Sequence, residues 1–187
     1  MTSIQTSRKL ASFSLAVVMS AVSVASMAQV MVGGAPMLAS KDIIDNAVNS
    51  KDHTTLVAAV KAAGLVDTLK GAGPFTVFAP TNMAFDALPA GTVDTLLKPE
   101  NKPLLTQVLT YHVVAGKHDA ASIAKMVADG KGMAQLKTVQ GGTLTAKTQG
   151  KGVVVMDEKG GTAQVTIADV VQSNGVIHVI DKVLMPK

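Results

Sequence analysis

The sequence contains no cysteine among its 187 residues. Without cysteine the chain can form no disulfide framework, the usual reinforcement of small secreted domains. It also cannot carry the modified cysteine that attaches a lipoprotein to a membrane. About one domain's length of chain remains once an export segment is set aside, and that is long enough to bury a core. The fold must therefore rest on apolar packing.

Arginine and aromatic residues are almost as scarce. Arg8 is the only arginine, Tyr111 is the only tyrosine, and there is no tryptophan. Proteins read phosphate and guanine with guanidinium groups and stack unpaired bases on aromatic rings. Removing Arg8 and Lys9 with an export segment also lowers the formal net charge from +4 to +2. The composition therefore argues against nucleic-acid binding.

Sequence motifs for catalysis are missing as well. The chain has no Gly-x-Ser-x-Gly elbow, no zinc-binding helix motif and no phosphate loop. Its four histidines have no metal-ligand spacing. We therefore predict that the protein is not an enzyme and has no catalytic, cofactor-binding or metal-binding residues.

A periplasmic carrier of a small ligand or a metal is the alternative to a protein-binding role. Thioether sulfurs are soft ligands that suit copper, although scattered methionines more often fill gaps in a core. The methionines beyond the export segment are Met31, Met37, Met83, Met126, Met133, Met156 and Met185.

The first 28 residues have the organisation of an export signal. Arg8 and Lys9 precede an apolar run from Leu10 to about Ala25, and Ser26-Met27-Ala28 supplies small residues at a cleavage site. An uncleaved anchor is the alternative, but a spanning helix needs roughly 20 apolar residues and this run is short. We predict a signal peptide over 1–28, a flexible leader over 29–39 and one domain over 40–187. The protein should be secreted or periplasmic, with no stable membrane span after cleavage.

Helical periodicity precedes strand periodicity along the chain. Ser40 and Asp52 can cap two early helices, and Gly64 is a helix stop signal. The last third alternates apolar and polar residues with period two. Its hairpin signals are Gly141-Gly142, Gly160-Gly161 and Asn174-Gly175. Helices followed by strands in one domain predict an α+β fold, with the helices of the N-terminal half packed on an antiparallel sheet or sandwich.

Three of the four phenylalanines lie in one stretch, "FTVFAPTNMAF", which could stack a ligand or build a core. Phe75 to Ala79 predicts a strand buried on both faces, which Pro80 ends. Thr81 or Asn82 can then cap a short helix that carries Phe85. This arrangement brings Phe75 or Phe78 against Phe85 and favours a core role for all three rings.

Three segments carry a family resemblance over roughly Ile43 to Pro186. In order they are "FTVFAPTNMAF", "LLTQVLTYHVVAG" and "ADVVQSNGVIHVIDKVLMP". They resemble the characteristic segments of fasciclin-like domains, most closely the small, single-domain secreted type of bacteria. The resemblance implies a wedge-shaped β-sandwich with packed helices. It also implies adhesion or contact with an unidentified protein or matrix component at the cell surface.

The resemblance also marks individual residues. In animal members a Tyr-His pair and an Asp-Ile pair are implicated in integrin binding. Carried over here, they mark Tyr111, His112, Asp169 and Val170 as candidate partner-binding residues, with Val170 standing where those members have isoleucine. The structural signature comprises Phe75, Phe78, Pro80, Thr81, Asn82, Phe85, Asn174, Gly175 and His178.

The histidines allow more than one role. His112 could contact a partner or act as a pH switch. We favour a structural role in which it hydrogen-bonds the Pro80-Thr81-Asn82 corner. His178 alternates with apolar residues and is predicted to lie in the core, whereas His53 and His118 lie beside helix starts and are predicted to be solvated.

Overall fold

The computed structural model describes residues 29–150 and 152–187, so the predicted signal peptide lies outside the described residues. The helices are α1 (Ile43–Ala47), α2 (Thr54–Ala63), α3 (Val66–Lys70), α4 (Asn82–Asp86), α5 (Thr92–Leu97), α6 (Lys102–Tyr111) and α7 (Ala120–Asp129). The strands are β1 (Met31–Val32), β2 (Ala35–Pro36), β3 (Phe75–Pro80), β4 (Val113–Ala115), β5 (Ala134–Lys137), β6 (Thr143–Gln149), β7 (Gly152–Met156), β8 (Thr162–Gln172) and β9 (Gly175–Ile180). Helices dominate the first part and strands the last, as the patterning predicts.

The main sheet has seven strands in the order β4-β3-β9-β8-β7-β6-β5. All pairs are antiparallel except β3 and β9, which run parallel. The two outer strands approach each other, because Val114 bridges to Thr138 and the amide of Val139 donates to the carbonyl of Val113 at 2.8 Å. The sheet therefore bends until its ends meet. The α+β class with helices packed on a mostly antiparallel sheet is confirmed.

Two apolar clusters fill the fold. The first lies between the helices of the N-terminal half and one side of the sheet, and it includes Ile44, Val60 and Ile177. The second is enclosed by the bent sheet and α7, with Leu144 and Ile180 fully buried. Strand β8 changes register along its length, and such bulges bend a strand so that one sheet can pack against two cores.

The phenylalanine-rich stretch connects the two clusters. Val77 and Ala79 point into the first cluster, while Phe78 points into the second and is fully buried. The hydroxyl of Thr81 caps α4 by accepting from the amide of Ala84 at 3.3 Å. Phe85 belongs to the first cluster, against which the half-buried Phe75 also packs. The predicted core role agrees with this burial, and Phe75 rather than Phe78 shares a cluster with Phe85.

The prediction of a flexible leader over 29–39 is wrong. Strands β1 and β2 form a hairpin, and the side chains of Val32 and Met37 are buried in the first cluster. Gly33 and Gly34 adopt φ values of +58° and +76°, which glycine tolerates and a turn of this kind requires. The burial of Val32 before this turn and of Met37 after it therefore orders the segment.

At two helix starts the structure also differs from the prediction. Asp42, not Ser40, caps α1 by accepting from the amide of Asp45 at 2.8 Å. A 3-10 turn over Lys51–His53 precedes α2, so Asp52 does not serve as its cap. The predicted stop of α2 is confirmed, because Gly64 adopts a φ of +74° at its C-terminus.

Candidate protein-contact surface

Tyr111 is fully buried at the end of α6. Its hydroxyl donates to the carbonyl of Thr143 at 3.0 Å and accepts from the amide of Glu158 at 3.1 Å. Burial raises the pKa of this hydroxyl. The side chain therefore connects α6 to the start of β6 and to the turn after β7, and it cannot touch a partner in the folded protein.

His112 is also buried, and its ring makes two hydrogen bonds to the backbone. Nε2 accepts from the amide of Leu184 at 2.9 Å, and Nδ1 lies 2.8 Å from the carbonyl of Val108. A neutral imidazole has one donor and one acceptor, so Nδ1 carries the proton and donates to Val108. The predicted bond to the Pro80-Thr81-Asn82 corner is wrong, because the ring points toward the C-terminal segment instead.

Asn82 joins α4 to the start of α2, and Asn174 joins the β8–β9 turn to α1 and α3. Asn82 accepts from the amide of Thr55 at 3.0 Å and donates to the carbonyl of Lys51 at 2.8 Å. Asn174 accepts from the amide of Ile43 at 3.1 Å and donates to the carbonyl of Leu69 at 2.7 Å. Both amides therefore act as docking points for helix ends.

Gly175 follows Asn174 in the β8–β9 turn and has a role that only glycine can fill. A Cβ at this position would collide with the carbonyl oxygen of Phe75. The close approach of the two backbones lets β9 pair with β3.

His178 lies in the core, where its ring stacks on Phe78 with centroids 5.5 Å apart. Its Nε2 lies 2.8 Å from the carbonyl of His118, and its Nδ1 lies 3.4 Å from the amide nitrogen of Asp169. Burial lowers the pKa of His178, so the ring is neutral. Its Nε2 donates to the carbonyl of His118, and its Nδ1 accepts from the amide of Asp169. This ring connects β9, the irregular part of β8 and the segment before α7.

Asp169 is the one exposed member of the four candidate partner-binding residues. It adopts a φ of +57° in the irregular part of β8, and its Oδ1 accepts from the amide of Ala120 at 2.6 Å. Val170 is 1% exposed and packs in the first cluster. Val171, which the sequence analysis did not single out, is 40% exposed and lies two residues after Asp169 in β8. Sequence alternation could not have identified it, because the position of the bulge decides which of the adjacent Val170 and Val171 faces outward.

The two histidines predicted to be solvated differ from each other. His53 is 3% exposed, so that prediction is wrong for this residue. His118 is half-buried, and its amide donates to the hydroxyl of Thr76 at 2.8 Å.

The fasciclin domain family model matches residues 51–186. The chain belongs to the fasciclin domain family. "Protein sll1483" of Synechocystis is 50% identical over 144 residues, which cover 77% of this chain and 73% of that protein. The "Cell surface glycolipoprotein MPB83" of Mycobacterium bovis is 39% identical over 159 residues, 82% of this chain and 64% of that protein.

A solved structure has the same fold. The fasciclin domain pair of the insect cell adhesion molecule fasciclin I matches with a TM-score of 0.68 at 18% identity, covering 78% of this chain and 51% of that one. Among the described residues of this fasciclin domain, no helix is long and apolar enough to cross a membrane.

Proposed function

We propose that this fasciclin domain is an exported, non-catalytic binding module that mediates adhesion or protein contacts at the cell surface or in the periplasm. Its partner is a protein or a matrix component. The observation that carries the proposal is the exposed surface formed by Asp169 and Val171, which we name the β8 surface. Asp169 is one of two non-glycine residues with positive φ among the described residues, the other being Lys131, and such conformations are enriched at functional sites.

The surroundings of the histidines support a role without catalysis. Both rings of the resemblance segments, His112 and His178, are buried and hydrogen-bonded to backbone groups. Among the described residues, one serine–histidine pair is hydrogen-bonded through its side chains, with Oγ of Ser50 and Nδ1 of His53 2.9 Å apart. Both side chains are buried, so no substrate could reach the serine. The contact also uses Nδ1, whereas in a catalytic triad the serine is activated by Nε2 and Nδ1 bonds to the orienting carboxylate.

The β8 surface offers a charge beside an apolar side chain. The carboxylate of Asp169 is exposed although one oxygen accepts from α7, and the isopropyl group of Val171 lies two residues further along the strand. Interfaces commonly place an apolar contact at the centre and polar groups around it. We therefore expect both side chains to contact the partner.

A capture experiment with a matched control tests this surface. Asp169→Asn combined with Val171→Ser should reduce capture of the partner from envelope and extracellular fractions at least about tenfold, the loss typical of a central interface residue. Asparagine tolerates positive φ, so the bulge should persist. Asp181→Asn is the control, because Asp181 is also exposed and accepts from a backbone amide, that of Gln164 at 2.7 Å. Equal capture by the double variant and the wild type would contradict the proposal.

Export predicts a defined N-terminus. Cleavage after Ala28 should leave protein outside the cytoplasm that begins at or near Gln29, two residues before β1. Intact-mass measurement of the protein recovered from that compartment checks this. Recovery of a membrane-bound form that still carries Met1 would show that the segment is an anchor.

A small-ligand carrier is the second candidate function. One observation favours it: an apolar cavity lies between the N-terminal hairpin, α1, α2 and the sheet, with His53 in its wall. Metal transport has no such support, since the described residues contain no group of three or more histidine, cysteine, aspartate or glutamate side chains that could hold an ion.

A further inference from the structure

The ring of His178 lies between two segments that meet beside the β8 surface. One is the irregular part of β8 around Asp169, and the other is the segment that leads into α7. The side chain is 1% exposed and stacks on Phe78 of β3, so packing fixes the plane of the ring. A change of charge on this ring must therefore be absorbed by the groups that hydrogen-bond to it.

The hydrogen bonds of this ring require its neutral form. The carbonyl of His118 can only accept, so Nε2, which lies 2.8 Å from it, carries the proton. The amide of Asp169 can only donate, so Nδ1, which lies 3.4 Å from it, carries none. Protonation of the ring would place a second N–H on Nδ1, opposite the N–H of Asp169. One of these two donors must then move.

Asp169 is the group that is free to move. Its φ of +57° lies in a region that aspartate visits at small cost, and conformations with negative φ are open to it as well. Ala168 and Asp169 fall in the register shift between Ile167 and Val170, so neither has a partner position on β9. Among the described residues the exposed side chain is held by one hydrogen bond, in which Oδ1 accepts from the amide of Ala120 at 2.6 Å.

We propose that His178 is a pH switch for the β8 surface, in which protonation of Nδ1 displaces the amide of Asp169 and turns its carboxylate from Ala120 toward the imidazolium. In the neutral form the carboxylate stays beside α7 and is available to a partner together with Val171. In the protonated form it pairs with the ring, and the partner loses that contact. This switch rests on the proposed function of the β8 surface, because it regulates the same surface.

The groups around the ring set the pH range of the switch. Burial lowers the pKa of His178, and the ring of His118 adds to this effect. The carbonyl of His118 and the carboxylates of Asp169 and Asp119 raise the pKa by smaller amounts, while Phe78, the neighbour from β3, carries no charge. An unperturbed histidine titrates near 6.5, so this ring is neutral at pH 7.5 and gains its proton only below ~6.5. The β8 surface is therefore intact at neutral pH and rearranged in acid.

A pH titration of the full chain from 7.5 to 5, followed by nuclear magnetic resonance, tests the switch without a partner. The imidazole ¹⁵N signals of His178 report its protonation, and the amide signals of Asp169 and Ala120 report the two hydrogen bonds. We expect these signals to move with one common midpoint, while the methyl signals of Leu144 in the second cluster keep their folded-state positions. Amides that do not follow the ring, or a core that unfolds before the ring titrates, would overturn the proposal.

The linkage between ring and carboxylate gives a second test with a matched control. Asp169→Asn should lower the titration midpoint of His178, because the amide cannot stabilise the imidazolium as a carboxylate does. Asp181→Asn should leave the midpoint unchanged, although Asp181 is also exposed and also accepts from a β8 amide, that of Gln164. Replacing His178 itself would disturb the core, so the test avoids it. Equal midpoints in the wild type and Asp169→Asn would contradict the switch.

Capture of the partner separates a failure of the switch from a failure of the surface. Between pH 7.5 and 5, capture by the wild type should fall at least about fivefold, a loss typical of one interface contact, and recover when the pH is restored. Asp169→Asn should show a smaller fall, and an equal fall would overturn the switch. Capture that the wild type retains in full at pH 5 would also overturn the switch alone. Equal capture at pH 7.5 by the wild type and by Asp169→Asn combined with Val171→Ser would instead contradict the proposed function.

Discussion

Replacing Phe78 with alanine should lower the free energy of unfolding by ~3–5 kcal/mol, the usual cost of removing a buried phenylalanine ring. The side chain is fully buried in the second cluster and stacks on His178. The surrounding strands belong to one bent and closed sheet, so they have little freedom to collapse into the space. Domains of this size have only ~5–15 kcal/mol of stability, so the variant should unfold at a much lower denaturant concentration.

Tyr111 provides the measurement, because it is the only tyrosine and the chain has no tryptophan. It lies in the same cluster as Phe78, so its fluorescence reports on that core, and circular dichroism follows the secondary structure. Phe75→Ala is the matched control, since Phe75 is on the same strand but only half-buried, and it should cost clearly less. An unchanged midpoint for Phe78→Ala together with lost partner capture would mean that the phenylalanine-rich stretch is a recognition surface.

The sequence alone predicted those features whose physical cause lies within a few neighbouring residues. Proline lacks the amide that would continue β3, Thr81 can reach the amide three residues on, and a glycine after Asn174 permits a tight turn. Each of these features depends on neighbouring residues, and each is present in the structure. The order of helices and strands could be read in the same way, from the change of hydrophobic period.

Polar side chains inside the fold could not be placed from sequence, because their partners are distant along the chain. His112 bonds to Leu184, 72 residues away, and Tyr111 to Thr143, 32 residues away. The Tyr-His pair therefore resembles a contact motif in the sequence, but in the structure both side chains are buried and hydrogen-bond to distant backbone groups. His53 was misplaced for a similar reason, since its burial depends on the hairpin that packs over it.

The same limit applies to the candidate partner-binding residues of β8. The resemblance marks the pair Asp169-Val170, but adjacent residues on a strand face opposite sides. Here the irregularity between Ile167 and Val170 sets the phase, leaving Asp169 and Val171 outside and Val170 inside. A bulge shifts by one residue which side chains of a strand face inward. The alternation of apolar and polar residues before the bulge does not reveal where the bulge lies.

Lowering the pH from 7.5 to 5 should destabilise the protein through His112. Burial lowers the pKa of this ring to about 4, against the smaller opposing effects of the Val108 carbonyl and the Asp157 charge, while an unfolded histidine titrates near 6.5. Between these two values the unfolded chain binds the proton and the folded chain does not. Stability is therefore complete above pH ~6.5, decreases as the pH falls and is fully lost from this source only below ~4, with a loss of about 2 kcal/mol by pH 5. Burial also lowers the pKa values of His53 and His178, so their effects have the same sign.

Denaturant midpoints at pH 7.5 and 5 for the wild type and His112→Gln identify the contribution of this ring. Protonation would place a hydrogen on Nε2 directly opposite the amide of Leu184, which already donates to it. Glutamine cannot be protonated, so the variant should be less stable than the wild type at pH 7.5, where it loses two backbone hydrogen bonds, yet change less between the two pH values. If His112→Gln had the same slope as the wild type, the acid sensitivity would belong to the other buried histidines, and the hydrogen bond to Leu184 would not be its cause.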